Sequence, residues 1–114
     1  MIYTSGDWLV KPGREEEFIE AWHELAEWTA AEIAPGARAM LLHDRDEPAL
    51  FRSFGPWDSD PQVAAWRQSE GFAARIGRIR ELLDRFEAHT LDVVADRRRR
   101  AAMRRTWFDG TALV

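Results

Sequence analysis

The chain has 114 residues, no cysteine, 46% hydrophobic and 32% charged side chains, and a formal net charge of −4. That length and balance fit one folded domain and exclude a disordered chain. The missing thiols exclude a disulfide framework, a zinc–thiolate centre, an iron–sulfur cluster and a cysteine nucleophile.

Residues 2–10 are rich in β-formers and end at Lys11-Pro12-Gly13, which predicts a first strand. Its even positions, Ile2, Thr4, Gly6, Trp8 and Val10, are mostly apolar, and its odd positions are mixed. Pro12-Gly13 opens a helix whose first turn carries Glu15, Glu16 and Glu17, where negative charge suits the helix dipole. Phe18, Trp22, Leu25, Thr29 and Ile33 form one buried stripe on it, and Ala34-Pro35-Gly36 stops it. Residues 37–43 and 49–55 read as strands, and the short polar link 44–48 makes them a hairpin.

Ser59-x-x-Gln62 has the form of a capping box, with Pro61 in the first turn, so 63–67 reads as a short helix. Ser69-Glu70-Gly71 interrupts it. Phe72, Ile76, Ile79, Leu83 and Phe86 recur at helical spacing and predict one long helix through Phe86. Residues 89–95 alternate as a fourth strand. The order β-α-β-β-α-β predicts an α+β, ferredoxin-like fold with a four-stranded antiparallel sheet and the helices on one face. Apolar residues occur on both parities of the strands, as in Trp8/Leu9 and Leu41/Leu42. A sheet with one wet face would alternate more cleanly, so the open face is expected to close against a second copy in a homodimer.

The last residues differ in charge from the rest. Residues 97–114 hold six arginines and one acid, net +5, which leaves −9 on residues 1–96. The expected division is a domain of residues 1–96 and an arginine-rich extension, 97–114. An acidic body argues against nucleic acid as partner, except through the basic stretch 97–105. Arg, Ala and Met in that stretch favour helix, and Met103 and Trp107 sit one turn apart, so docking on the acidic body is expected. No apolar run approaches the ~18 residues of a membrane span. Met1-Ile2-Tyr3 opens with no basic and apolar leader, so a cytoplasmic protein without membrane contact is expected.

Few residues offer acid–base or ligand chemistry. His23, His43 and His89 form no metal-binding spacing, and His23 with Glu27 reads as a surface pair one turn apart. No metal site is expected. There is no G-x-S-x-G, G-x-G-x-x-G or P-loop, and Lys11 is the one lysine. Aromatic groups remain. Trp8, Trp22, Trp66 and Phe72 fall where the helices meet the sheet, either as core or as the walls of a pocket for a flat aromatic ligand. A cavity under about 300 Å³ would be too small for a polycyclic one.

The chain resembles the antibiotic biosynthesis monooxygenase family of dimeric α/β-barrel proteins. The resemblance covers residues 2–96. It rests on the element order, on Val10-Lys11-Pro12-Gly13, and on Phe54-Gly55-Pro56-Trp57-Asp58-Ser59 leading to Ala65-Trp66-Arg67 and Gly71-Phe72. Haem-degrading members use an Asn on the first strand, a Trp on the helix after the third strand, and a His ten residues beyond it. Here Trp66 matches, but Gly6 or Asp7 stands for the Asn and Ile76 for the His, so haem degradation is not expected. Cofactor-independent oxygenases of aromatic polyketides use an Asn four residues before that Trp and a Tyr six after it. Those positions hold Gln62 and Phe72 here.

The resemblance implies an oxygenase without metal or flavin, whose deprotonated phenolic substrate reduces oxygen directly. Trp66 would stack on that small aromatic substrate and Gln62 would orient an oxygen atom. His43, Asp7 or an arginine would stabilise the anion, and Trp8, Trp22, Phe72, Ile76 and Asp7 would line the site. Two alternatives stand beside it: a non-catalytic dimeric ligand-binding or stress-related protein on the same scaffold, and an interaction protein whose basic tail does the work. An open pocket holding polar groups favours the oxygenase. A pocket filled by Trp8, Trp22 and Phe72 favours the binding protein.

Overall fold

A computed structural model describes residues 1–98 and 100 of the chain. In chain order the elements are β1 (Ile2–Val10), α1 (Glu15–Glu32), β2 (Met40–His43), β3 (Leu50–Trp57), α2 (Asp60–Gln68), α3 (Glu70–Arg80) and β4 (Leu83–Asp92). The strands form one antiparallel sheet in the order β2-β3-β1-β4. This is the ferredoxin-like order expected from the sequence. Among the described residues no helix is long and apolar enough to cross a membrane.

The helices cover the even face of β1. Its Ile2, Gly6, Trp8 and Val10 are buried, as are Phe51, Ser53 and Trp57 across the β1–β3 ladder. Phe18, Trp22 and Leu25 of α1 and Ile76 and Ile79 of α3 close the main core over them. A smaller cluster of Ile2, Ala34, Trp57 and Val63 lies at the other end of β1, and Trp66 packs against both clusters.

Several boundaries differ from the sequence expectation. The last helix ends at Arg80, and Leu83 and Phe86 belong to β4. Their helix-like spacing comes from a β-bulge: Val10 pairs with Leu83 but Leu9 pairs with Arg85, so Asp84 is an extra residue. The bulge separates two residues that stay partly buried by three positions instead of two. β4 accordingly begins at Leu83, not His89, and stops at Asp92.

β2 covers only 40–43 of the expected 37–43, and β3 runs on through Gly55-Pro56-Trp57. Pro56 is tolerated there because β2 pairs no further than Met40↔Phe54, leaving only β1 beside it. Half of the expected capping box forms: the Ser59 side chain accepts from the Gln62 amide, but Gln62 Oε1 accepts from the Asp58 amide, one residue upstream of the cap, instead of from Ser59. Of the basic extension, Arg97 and Arg98 lie in a bend and Arg100 bridges back to Ala95, so this part is not helical. The expected docking of Met103 and Trp107 lies outside the described residues.

Candidate functional site

A cavity of about 400 Å³ lies between the helices and the sheet. Its floor exists because two cross-strand positions lack bulk: Gly6 faces Ser53, and Thr4 faces Gly55. The Trp8 indole lies back across Gly6 and donates from Nε1 to Ser53 Oγ at 2.9 Å. A Cβ on Gly6 would stand 2.8 Å from Trp8 Nε1 and 3.0 Å from Ser53 Oγ, so only glycine leaves room for this arrangement. At the far end of the floor, Trp57 Nε1 donates to Thr4 Oγ1 at 2.8 Å.

The roof comes from all three helices. Trp22, Leu25 and Thr29 of α1, Trp66 of α2, and Phe72 and Ile76 of α3 face the cavity. Trp66 Nε1 donates to Thr29 Oγ1 at 2.9 Å, and that hydroxyl donates to the Leu25 carbonyl at 2.7 Å. The Trp66 ring is also held by an edge contact with Phe72 (centroids 4.5 Å apart) and a tilted contact with Trp57 (4.8 Å). Each of these indole N–H groups is satisfied by a hydroxyl, so Trp8, Trp57 and Trp66 present apolar faces without an orphaned donor. Alanines complete the space: Ala26, Ala30 and Ala34 line it where larger side chains would fill it.

Five of the eight residues singled out in the sequence, Trp8, Trp22, Trp66, Phe72 and Ile76, meet at this cavity. The other three are not among its lining residues. Gln62 holds the start of α2, with Nε2 donating to the Ile33 carbonyl at 3.4 Å. His43 stacks on Phe51 at 4.2 Å, and its Nε2 lies 2.9 Å from the Pro48 carbonyl. Asp7 points to the opposite face of the sheet, where Arg52 Nε lies 3.7 Å from it.

On that opposite face, Asp7, Glu87 and His89 bring metal-capable atoms within 4.8 Å of one another. Cross-strand register makes this group, since Glu87 pairs with Asp7 and His89 follows two residues on, a relation no sequence spacing reveals. His23 and Glu27 are the surface pair expected, 3.5 Å apart. Asp44 in the β2–β3 turn is held at about 2, well below the usual carboxyl range. The cause is the Arg52 guanidinium at 2.6 Å, followed by the backbone amides of Asp46 and Glu47.

The polar residues Thr4, Ser5, Thr29, Ser53, Arg67 and Arg80 also line the cavity and were not singled out as site residues in the sequence. The parity of the strands was a usable signal for Thr4. Arg80 was also within reach, because it continues the Phe72–Ile76 spacing by one more turn.

Comparison with known proteins agrees with this architecture. Residues 1–78 match the model of the family described as antibiotic biosynthesis monooxygenase, and the chain belongs to that family. Among solved structures, a variant of SnoaB, a cofactor-independent oxygenase from Streptomyces nogalater, superposes with a TM-score of 0.75 at 20% identity, over 84% of this chain and 95% of that one. A conserved protein from Methanosarcina mazei superposes with a TM-score of 0.70 at 21% identity, over 78% of this chain and 88% of the other. A further structure, described as an antibiotic biosynthesis monooxygenase, gives 0.71 at 20% identity, over 83% and 100%. At these identities the likeness is one of fold. No curated protein matches the chain.

Proposed function

We propose that this chain is a cofactor-independent monooxygenase acting on an aromatic, polyketide-like small molecule held in the cavity beside Trp66. The observation that carries this reading is the cavity itself. At about 400 Å³ it falls within the roughly 300–1,000 Å³ of ligand sites. It is aromatic-walled, and Trp8, Trp22 and Phe72 border it without filling it.

The reaction in this reading converts a phenolic ring to a quinone. Loss of the phenolic proton puts negative charge on a ring carbon. That carbon gives one electron to O2, the two radicals join as a peroxide anion, the anion takes a proton from solvent, and loss of water leaves a new carbonyl. One O2 enters, one of its oxygen atoms stays on the ring and the other leaves as water. Trp22 and Trp66 hold the ring flat, and the tied indole of Trp66 is fixed against rotation by Thr29. Among the described residues no carboxylate or imidazole lines the cavity, and in this reading the substrate gives up its proton to solvent.

The same lack of a base favours a second reading, a ligand-binding protein that does not turn over. Oxygen uptake separates the two. Anthrone, a tricyclic keto tautomer of a phenol, gives anthraquinone and water with one O2. Saturable tryptophan quenching with catalysed O2 uptake supports the oxygenase; saturable quenching without uptake supports the binding protein.

We further propose that the chain dimerises through the sheet face away from the helices. Met40, Leu42 and Leu91 are more than two-fifths exposed on the described chain, and Met40 sits beside Phe54 across the β2–β3 ladder. By the strand register all three lie on the same sheet face, and apolar groups gathered on one face support an interface there.

A further inference from the structure

The charge around the cavity is of one sign. Arg67 and Arg80 line it, and no Asp, Glu or His does. Yet the chain as a whole has more acids than bases. Arg14, Arg52 and Arg78 each hold a carboxylate oxygen at 2.8 Å or closer. Arg67 and Arg80 hold none among the described residues.

Local structure explains where these two groups are but not why they lack partners. Arg80 follows Ile76 by four residues and Phe72 by eight, which puts all three on one face of α3, the face toward the cavity. A cation in the last turn of a helix also suits its dipole, and Arg78 shares that position. But Arg78 turns to Glu24 on α1, while Arg80 borders the cavity. Arg67, next to Trp66, ends α2 in the same relation.

The uncharged polar groups have the same character. Thr4 Oγ1 and Ser53 Oγ each accept an indole N–H, so each keeps its own hydrogen to donate. Thr29 already donates to Leu25, so among the described residues the cavity is bordered by the hydroxyls of Thr4, Ser5 and Ser53 and by two guanidinium groups, with no acidic acceptor. Such a lining is complemented by a flat ligand whose polar atoms all accept and whose edge is negative. Low-dielectric walls with charge of one sign focus the field on that ligand. The planar fork of arginine fits a carboxylate through two parallel hydrogen bonds.

We propose that Arg67 and Arg80 form an anion-recognising rim and that the ligand is an aromatic carboxylate. Its rings lie between Trp22, Trp66 and Phe72, its ring oxygens accept from Thr4 and Ser53, and its carboxylate sits on the guanidinium rim. This rests on the reading of the cavity as an aromatic ligand site, and it is independent of whether turnover occurs.

The test compares two probes of one shape, anthraquinone-2-carboxylate and anthraquinone-2-carboxamide, by tryptophan quenching at low salt. The proteins are the parent, Arg67→Gln, Arg80→Gln, their double variant and Arg80→Lys. Both arginines are exposed, so the variants keep the fold, which a thermal melt verifies. The parent is expected to prefer the carboxylate by on the order of tenfold. That preference falls in each single glutamine variant, vanishes in the double, survives in part in Arg80→Lys, and shrinks with added salt. Affinity for the uncharged carboxamide changes less than that for the carboxylate in every variant. Equal affinity for both probes in the parent, or a preference that survives the double variant, overturns the proposal and leaves the aromatic cavity standing. No saturable binding of either probe overturns both.

Discussion

The indole N–H of Trp66 donates to Thr29 across 2.9 Å, tying α2 to α1 at the roof of the cavity. Thr29 is buried, and its own hydroxyl hydrogen is used on the Leu25 carbonyl one turn back. Thr29→Val keeps the shape and removes the acceptor, leaving a partly buried indole donor unpaired. The expected cost is about 1–3 kcal/mol in a urea melt. Thr29→Ser should recover most of it, because the hydroxyl is restored. A valine variant as stable as the parent would show that the bond does not hold the roof.

Trp66 itself packs against both core clusters, which adds a structural role to its place in the cavity wall. Trp66→Phe keeps a ring and loses the hydrogen bond, for an expected loss of ~1 kcal/mol. Trp66→Ala should cost more, toward the ~3–5 kcal/mol of a core aromatic. Quenching titrations on the phenylalanine variant then report the ligand role apart from stability: aromatic ligands should bind it more weakly than the parent.

The two floor glycines should respond differently to alanine. On Gly6 a Cβ would lie 2.8 Å from Trp8 Nε1, so the indole must shift and its bond to Ser53 is strained; a loss of ~1–3 kcal/mol is expected. On Gly55 the nearest atoms are the Ala39 Cβ at 3.6 Å and Thr4 Oγ1 at 3.7 Å, ordinary contacts. Gly55→Ala should therefore melt as the parent does while reducing the cavity and weakening a tricyclic ligand. Equal melting temperatures for the two variants would contradict the packing described around Trp8.

Much of the fold was legible because strand parity and helix stripes repeat the burial pattern. Ile2, Gly6, Trp8 and Val10 alternate on β1, and Phe18, Trp22 and Leu25 recur on α1. The β4 start was hidden because a bulge at Asp84 gives Leu83 and Phe86 a helical interval, and no glycine or proline separates them from α3. The aromatic walls of the site were legible for the same reason as the core. The hydroxyls were not: Thr29 and Ser53 acquire their role only through indoles 37 and 45 residues away.

Asp44 gives a pH signature remote from the cavity. Its carboxyl is depressed from 3.8 to about 2, so the favourable link to Arg52 is fully present above pH 3.8 and is lost as pH falls through about 2. A carbon-13 titration of the side-chain carboxyl should show that midpoint. Arg52→Gln should move it upward, but not all the way to 3.8, because the amides of Asp46 and Glu47 still donate to it. An unmoved midpoint in the variant would assign the depression to the turn alone.

The proposed dimer face is tested by charge. Leu42→Glu and Leu91→Glu place carboxylates at exposed apolar positions of the described chain. Light scattering at micromolar concentration should report twice the monomer mass for the parent and a lower value for the double variant. A monomeric parent would remove the dimer from the account.

The most direct measurement is oxygen consumption with anthrone, followed in an electrode alongside tryptophan quenching. Saturable quenching is expected, with catalysed O2 uptake of one O2 for each anthraquinone formed. Both should weaken in Gly55→Ala, where the cavity is smaller and the fold is kept. Quenching without catalysed oxygen uptake, or uptake that Gly55→Ala leaves unchanged, would contradict an oxygenase working in the cavity beside Trp66.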